Sequence, residues 1–365
     1  MVKDQKITGL FPDLLIHPGE TLAEILDERQ MSQKELALRT GVTEKHVCTV
    51  VKGAKGISVS FAKKLEYALG IDANFWINLQ GNYDREVLEY EEVNRITEEE
   101  VGILKPLQKV TDYMTESGMV EKNLEETSKV LALRHIFGVS NLTVIPSITY
   151  NAVYRMQMQS DTGVNAYVLY AWQRICELLS ENIKIAKQLD LNILRNRIPE
   201  IKSIMFDDDN AISAKLTALF ADCGIAFCIV RHFPGAPVQG FIKYREDGRL
   251  LLCLTLRQGR ADIFWFTLFH EIAHILNGDI KHKFIDFDAV YGETEVKANM
   301  FAKDVLLDEE EYRDFVAKGD FSLPEIEVHA RKQAVKNYIV VGRLQSEGWL
   351  DWNEYNQEMV YYKWA

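Results

Sequence analysis

One apolar and aromatic stretch sets the expected fold of the C-terminal part, and it reads Phe264-Trp265-Phe266-Thr267-Leu268-Phe269-His270-Glu271-Ile272-Ala273-His274-Ile275-Leu276. This run predicts a buried helix that ends at Gly278. Because residues four apart share one face of a helix, His270 and His274 can reach a single metal ion. Glu271 lies beside them, close enough to take a proton from a water molecule. These five residues form an HExxH pattern and predict a hydrolytic zinc site.

A third metal ligand must come from elsewhere, since a catalytic zinc ion usually takes three protein ligands and leaves one position for water. We expect Glu295 to be this ligand, because it opens a helix-like stretch in which the small Ala298 allows close approach to the metal helix. His282 is the main rival, although the lysines on both sides of it suit a cation poorly. The other acidic candidates that follow the motif are Asp279, Asp286, Asp288 and Glu293.

Short β-rich segments precede the metal helix. A helix over 211–222 ends near Gly224, and turn signals follow at Pro234-Gly235 and at Glu246-Asp247-Gly248. The pattern predicts a small antiparallel sheet or meander, whose edge strand can hold an extended peptide by main-chain hydrogen bonds. The expected strands are 225–232, 238–244 and 250–256.

Charge is distributed unevenly in the N-terminal part, although the whole chain has a net charge of -12. Residues 29–64 contain eight basic residues and two acidic ones, whereas residues 84–100 contain eight acidic residues and two basic ones. This reversal indicates a domain edge, with a basic module before it.

The basic module shows the pattern of a helix-turn-helix. Ser32 and Glu35 form an expected capping box for a helix over 33–39, and Thr43 is the expected cap of a third helix over 44–52. Two short helices joined by a glycine-containing turn place the second helix in the major groove of DNA. The alternative is a small helical domain whose charged faces are solvated or used for dimerisation.

The same residues resemble the phage-repressor-like (XRE) helix-turn-helix family, and more closely its HigA-type antitoxin branch. The resemblance implies that Gln33 contacts a phosphate, that Glu44, Lys45 and Thr49 face the groove, and that His46 lies near the DNA backbone. Lys52 completes this set of DNA-binding residues. Glu44 would repel phosphate and is favourable only if it accepts from a cytosine amine. The segments that carry the resemblance are His17-Pro18-Gly19-Glu20, Ser32-Gln33-Lys34-Glu35-Leu36-Ala37, Gly41-Val42-Thr43, Lys52-Gly53, Leu69-Gly70 and Phe75-Trp76-Ile77-Asn78-Leu79-Gln80.

Domains of this kind usually act as dimers, so a homodimer on operator DNA is expected. We expect Trp76 in the core of its own domain rather than at a dimer interface.

The remaining composition indicates an ordinary globular protein. The 365-residue chain has no apolar run of the roughly 20 residues that cross a bilayer, and its N-terminus lacks the apolar core of a signal peptide. A cytoplasmic protein without membrane contact is therefore expected. Its five cysteines are scattered and lack CxxC spacing, which favours buried reduced thiols over a cysteine zinc site.

Three C-terminal segments closely resemble the ImmA/IrrE family of metallopeptidases: Phe264 to Leu276, Glu295-x-x-Ala298-Asn299-x-Phe301-Ala302, and Ile339-Val340-Val341-Gly342-Arg343-Leu344-Gln345. The resemblance covers residues from about 205 to 350. It implies a gluzincin-like zinc endopeptidase that cleaves repressors or antitoxins. The chain departs from the family pattern at Asn337-Tyr338, where a proline is frequent, and at His329, where an apolar ring is frequent.

The expected mechanism uses zinc to lower the pKa of bound water towards about 7, with Glu271 as the general base that later protonates the departing amine. His232, Tyr291 and Arg343 are open candidates for stabilising the oxyanion. For each of them, packing or surface hydrogen bonding is the more ordinary role.

These features predict a mainly α chain with a small β-sheet (α+β). We expect a helix-turn-helix domain at 1–83, a helical bridge at 84–205 and a zincin-like α+β metallopeptidase domain at 206–365. The expected function is a DNA-binding transcriptional regulator whose zinc-dependent endopeptidase cleaves a repressor, an antitoxin or itself. The alternative is an antitoxin-like autorepressor whose zinc domain binds a partner, such as a toxin, without proteolysis.

Overall fold

The computed structural model of the chain describes residues 15–151, 164–245, 247–257, 259–280, 284–287 and 292–363, with the backbone alone at 149–151 and 284–287. The chain divides into two compact units. The first comprises Met1–Val101 and Glu125–Leu131, and the second comprises Gly102–Leu124 and Ala132–Ala365. The three-part division at residues 83 and 205 stays a prediction.

The first five helices that the structure describes form the core of the first unit, and the last of them runs into the acidic segment. Their apolar faces meet in one core, in which Leu22, Leu36, Val47, Phe61 and Trp76 are buried. Trp76 therefore lies in the core of its own unit, as expected. The helices are α1 (Pro18–Glu28), α2 (Gln33–Thr40), α3 (Glu44–Val51), α4 (Val59–Leu69) and α5 (Ala73–Asn94).

Local signals set the bounds of α2 and α3. The Ser32 hydroxyl accepts from the backbone N–H of Glu35 at 3.1 Å, and the Thr43 hydroxyl accepts from that of His46 at 3.2 Å. The Glu35 carboxylate does not complete the expected capping box, because it pairs with Arg39 at 2.6 Å instead. Helix α3 ends one residue earlier than expected.

The middle of the chain is helical, as the apolar spacing predicts. Its helices are α6 (Glu98–Gly102), α7 (Leu104–Glu116), α8 (Glu126–Phe137), α9 (Ile145–Asn151), α10 (Ala166–Glu181), α11 (Leu191–Ser203) and α12 (Asp209–Asp222), with 3-10 turns at Leu142–Val144 and Ile204–Phe206.

The rest of the second unit surrounds a small sheet. Its elements are β1 (Ile225–Val230), β2 (Val238–Tyr244), β3 (Leu250–Thr255), α13 (Ala261–Asn277), β4 (Phe284–Phe287), α14 (Glu293–Leu306), α15 (Glu309–Lys318), α16 (Leu323–Lys332) and α17 (Asn337–Ser346), followed by a 3-10 turn at Asn356–Glu358. The chain is thus mainly α with a small β-sheet.

The sheet is mixed, so the expected antiparallel sheet or meander is wrong. Its strand order is β1-β3-β2-β4, in which β3 runs parallel to β1 and antiparallel to β2. The fourth strand, β4, pairs antiparallel with β2 at the edge. Turn residues show where a strand ends but not which strand becomes its neighbour. The parallel pairing of β1 with β3 therefore could not be predicted from them.

Helices cover both faces of the sheet. Ile242 of β2 and Leu252 of β3 share one apolar core with Leu268 of α13. On the opposite face, Phe241 lies 5.8 Å from the Trp172 ring of α10, measured between ring centroids. The metal helix is therefore held between the sheet and the later helices of its unit.

Among the described residues, no single helix has the length and apolar content to cross a bilayer; only the bent pair Glu126–Phe137 and Leu142–Ile148, taken together, meets those two criteria.

Candidate metal centre

Helix α13 holds the HExxH pattern in its buried second half. His270 and His274 are 4% and 0% exposed, because the apolar residues around them pack against the sheet and α14. The helix ends at Gly278, whose φ of 71° is in the left-handed region that glycine favours.

The structure brings Glu295 to the two histidines. His270 Nε2 lies 3.0 Å from His274 Nε2 and 3.2 Å from Glu295 Oε2. His274 Nε2 lies 3.4 Å from Glu295 Oε1. Within the part of the chain that is described, these are the three residues whose donor atoms cluster as a possible metal site.

The donor set fits a zinc ion. Zinc ligands lie about 2.0–2.2 Å from the metal, so tetrahedral ligands lie roughly 3.3–3.6 Å apart. The two histidine nitrogens are 3.0 Å apart, and they lie 3.2 and 3.4 Å from the two different carboxylate oxygens of Glu295, so each distance is within a few tenths of an ångström of this spacing. Two imidazoles and one carboxylate are also the ligand set of a well-known class of catalytic zinc sites.

Hydrogen bonds on the outer nitrogens orient both histidines. His270 Nδ1 lies 2.9 Å from Asn299 Oδ1, one turn after Glu295 on α14. His274 Nδ1 lies 3.3 Å from Asp279 Oδ2. Such partners fix the ring orientation of metal-bound histidines and raise their basicity. They direct both Nε2 atoms to the same point.

The electrostatics keep Glu295 ionised. Burial favours the neutral carboxyl, but hydrogen bonds with His270 and His274 outweigh it and lower the pKa of Glu295 to about 2. Burial lowers the pKa of His274, whereas Glu295 and then Asp279 raise it, and the net result is a raised pKa. The carboxylate is therefore held in the form that binds a metal.

Glu271 is fully buried beside the cluster and lies against strand β2. A Cβ atom added to Gly240 would lie 1.7 Å from Glu271 Oε1 and 2.4 Å from its carboxyl carbon. Only a residue without a side chain leaves room there. Strand β2 and α13 thus enclose the carboxylate from two sides.

The rival ligands have other positions. Glu293 is exposed and pairs with Lys297 at 2.7 Å, and Asp279 contacts the outer nitrogen of His274. Asp286 belongs to β4, but its side chain lies outside the described part of the structure. Three further predicted candidates, the possible ligands His282 and Asp288 and the possible oxyanion-stabilising residue Tyr291, lie outside the described part of the structure.

Arg343 has a packing role. Its guanidinium pairs with Glu309 at 2.6 Å and with Glu347 at 3.2 Å, and lies 3.7 Å from the centroid of the Tyr312 ring. These contacts tie α17 to α15, so oxyanion stabilisation would require breaking both ion pairs. His232 stays a candidate; burial and the nearby Arg257 lower its pKa.

The Ile339-to-Gln345 segment holds the start of α13. A Cβ on Gly342 would lie 2.2 Å from Asp262 Oδ2, which shows how closely α17 approaches α13. Gln345 Oε1 accepts from Arg260 Nη2 at 2.9 Å. This segment supports the metal helix from outside the site.

In the first unit, three of the predicted DNA-binding residues lie on one side of α3 and its C-terminal cap. Val47 and Val50 turn into the core, which leaves Lys45, Thr49 and Lys52 on the opposite side. Lys45 and Lys52 are exposed and have no acidic partner within 4.0 Å among the described residues.

The other predicted contacts are more constrained. The Thr49 hydroxyl donates to the backbone oxygen of His46 at 2.8 Å. His46 is half-buried against Phe61, and burial, with Lys55 and Lys64, lowers its pKa, so it offers a neutral imidazole rather than a cation. Glu44 is exposed at the start of α3, and Gln33 is the half-buried first residue of α2.

The N-terminal part of the chain is similar to known proteins, although no protein-family model matches the chain. Virulence-associated protein I of Dichelobacter nodosus is 31% identical over 93 residues, which are 25% of this chain and 81% of that protein. A HigA-family addiction module antidote protein from Coxiella burnetii is 32% identical, covering 22% of this chain and 95% of its own, with a TM-score of 0.21. The Pseudomonas aeruginosa antitoxin HigA, solved with the higBA promoter, is 32% identical over 23% of this chain and 96% of its own, with a TM-score of 0.21.

The matched segment lies in the N-terminal part of this chain and spans most of the length of these relatives, one named a virulence-associated protein and two named HigA-type antidotes or antitoxins. It is about a quarter of the chain, whereas the candidate metal centre lies in the second unit. For the second unit, the resemblance to ImmA/IrrE metallopeptidases stays a prediction.

Three residues of the two sites, Asn299, Gly240 and Lys55, were not among the predicted site residues. Asn299 lies four positions after Glu295, a spacing that places both on one helix face. Gly240 interrupts an apolar strand, a sign that another group approaches the backbone closely. Lys55 Nζ lies 3.2 Å from His46 Nδ1 and extends the basic side of α3, but it follows a glycine turn that hides the spacing.

Proposed function

We propose that this chain is a DNA-binding transcriptional regulator whose second unit is a zinc-dependent endopeptidase. The observation that carries the enzymatic half is the buried cluster of His270, His274 and Glu295 with Glu271 beside it. A metal-dependent hydrolase needs a metal-binding set next to a group that can act as general base, and the side chains on α13 and α14 offer both. The peptide bond as substrate is what the ImmA/IrrE resemblance implies.

When bound, a zinc ion would polarise the scissile carbonyl and bring the pKa of water towards about 7. His270, His274 and Glu295 would hold it, and Asn299 and Asp279 orient the two imidazoles. Glu271 would accept the proton of the attacking water and pass it to the departing amine. Its burial against β2 keeps the carboxylate in one place for both transfers.

Glu271→Gln tests the enzymatic half. The matched control is Glu293→Gln, the same change at an exposed carboxylate on α14. Purified proteins are loaded with zinc and incubated with the repressors or antitoxins encoded by neighbouring genes, and the fragments are read by mass spectrometry. We expect the Glu271→Gln protein to keep one zinc per chain and to lose cleavage, while the control cleaves normally. Unchanged cleavage by Glu271→Gln would reject Glu271 as the base.

The DNA-binding half rests on the similarity of the N-terminal segment to HigA-type antitoxins and on the exposed basic side of α3. A relative solved with promoter DNA supports this role. Lys45 and Lys52 lack acidic partners among the described residues, so their charge is available to phosphates. We propose that the chain binds its own operator as a homodimer, as helix-turn-helix proteins commonly do.

Operator binding is measured by fluorescence anisotropy on the promoter upstream of the gene, at several salt concentrations. Lys45→Ala and Lys52→Ala should each weaken binding and flatten its salt dependence by roughly one unit of slope. Lys105→Ala, at an exposed lysine of α7, is the matched control and should leave both unchanged. Equal binding by all three variants would contradict the assigned surface.

A second candidate function follows from the relatives named as antitoxins. In it, the second unit binds a toxin without cutting it. Operator binding and toxin neutralisation by Glu271→Gln at wild-type levels, with no fragment from any partner, would favour this function over the first.

A further inference from the structure

A small apolar cavity lies at one end of the two metal-bearing helices. It has a volume of about 220 Å³. Ile263 and Phe266 of α13, Leu306 of α14 and Ile339 of α17 line it, and Trp352 forms an outer wall. Trp352 is 61% exposed, so the wall is open to solvent on its far side.

Charges at the rim are already matched. Asp262 is paired with Arg260 at 2.9 Å, and Lys303 with Glu347 at 2.9 Å. Arg343 is likewise held by carboxylates on two sides. A charged ligand would have to displace one of these partners, whereas an uncharged one would not. The rim therefore favours a neutral occupant.

We infer that this cavity binds a small, uncharged ring compound. A closed apolar cavity of about 150 Å³ in another protein binds benzene, which shows that apolar side chains alone can hold a ring compound. The volume here, 220 Å³ and open on one side, admits a fused two-ring compound such as indole. The Arg260 guanidinium lies over one face of the Trp352 ring, 5.2 Å from its centroid, so Trp352 offers its edge and other face to such a ring. Ile263 and Leu306 offer aliphatic surface.

The cavity is connected to the candidate metal centre, a step that rests on the proposed function. Phe266 lies one turn before His270, and the centroids of their rings are 6.2 Å apart. Lys303, at the rim, lies one turn after Asn299, which contacts His270 Nδ1. A ring compound between α13 and α14 therefore biases the position of His270 from both helices.

Isothermal titration of indole into the full-length protein, with and without zinc, tests the site. We expect saturable binding of one indole per chain in both forms. Trp352→Ala should weaken it at least fivefold, whereas Trp349→Ala, at another exposed tryptophan that does not line the cavity, should change it less than twofold. Ile263→Trp should fill the cavity and abolish binding, while Ile193→Trp, at a half-buried isoleucine of α11, should not. No saturable binding, or equal binding by Trp352→Ala and Trp349→Ala, would overturn the inference.

Chelator competition then measures zinc affinity with and without saturating indole. We expect a change of at least threefold, and identical affinities would reject the connection to His270. If the protein binds no zinc, the proposed function fails. The titration of the zinc-free form still shows whether indole binds in the cavity.

Discussion

At the scale of single residues, Gly240 decides where the carboxylate of Glu271, the proposed general base, can lie. Strand β2 passes so close to α13 that the carboxylate of Glu271 occupies the space of a side chain at position 240. The backbone of β2 is fixed by pairing with β3 and β4. Any added atom must therefore displace the buried carboxylate rather than the strand.

Gly240→Ala should lower peptidase turnover by about 100-fold, the scale expected for a misplaced catalytic group. Zinc content should stay at the wild-type level, because the change does not touch His270, His274 or Glu295. Turnover and metal content are measured on the same preparation. Gly102→Ala is the control, since a Cβ there meets nothing within 4 Å. Wild-type turnover in Gly240→Ala would show that Glu271 need not occupy this place.

His329 is a buried histidine that packs as an aromatic ring. Its centroid lies 4.4 Å from that of Phe315, with 10° between the ring planes, and its Nε2 has no hydrogen-bond partner among the described residues. Burial lowers the pKa of His329. The charged groups that act on it are Glu311, which raises its pKa, and Lys332, Lys318 and Arg343, which lower it.

Because the pKa of His329 is lower in the folded protein than in the unfolded chain, this histidine binds a proton more tightly when the chain is unfolded. The free energy of unfolding of the second unit should therefore fall as the pH drops below about 6.5, where the unfolded histidine gains its proton. His329→Phe keeps the ring contact and should lose less stability than wild type between pH 7.5 and 5.5 in urea unfolding. His135→Phe, at an exposed histidine of the same unit, should follow the wild type. If His329→Phe loses as much unfolding free energy as the wild type between pH 7.5 and 5.5, other titrating groups cause the loss.

At the scale of elements, the candidate metal centre depends on the pairing of α13 with α14. Ala298 is completely buried, and this small residue lets Glu295 approach His270 and His274. The same face of α14 carries Asn299, so one helix supplies both the carboxylate of the candidate site and the group that orients a histidine. Its opposite face is exposed to solvent.

Asn299→Ala should weaken zinc binding by roughly 10- to 100-fold, the usual effect of removing such an orienting partner. Lys297→Ala, an exposed change on the same helix, should leave the affinity unchanged. Competition with a chelator of known affinity measures both. A wild-type affinity in Asn299→Ala would mean that packing alone orients His270.

At the scale of the whole molecule, each unit has its own hydrophobic core. The basic surface of α3 belongs to the first unit and the metal cluster to the second. A ligand that binds one folded unit stabilises that unit alone, unless the two unfold together.

Removal of zinc should therefore lower the unfolding temperature of the second unit and leave that of the first unchanged. At a zinc concentration about 1,000-fold above Kd, the stabilisation lost is about 4 kcal/mol. Differential scanning calorimetry with and without a chelator measures both transitions. His274→Ala should show no response to the chelator, and a shift of both transitions by equal amounts would mean that the units unfold as one.

The sequence by itself determined the features that depend on neighbours along the chain. Ser32 and Thr43 mark the starts of α2 and α3, Gly278 marks the end of α13, and the mainly helical content follows from apolar spacing. His270 and His274 could be placed on one helix face because they are four residues apart. To predict Glu295 as the third member of the site, one further assumption was needed, namely that the helix after α13 packs against it.

Only the tertiary structure decided what depends on residues that are distant in sequence. The order of strands in the sheet, the contact of Gly240 with Glu271 and the packing role of Arg343 all arise from segments that meet after folding. Caps and helical periodicity are set within a few bonds, so their signals are local. Strand neighbours and close contacts depend on the total burial of the core, to which many weak contacts contribute. These contacts come from segments all along the chain, so no single stretch of sequence predicts them.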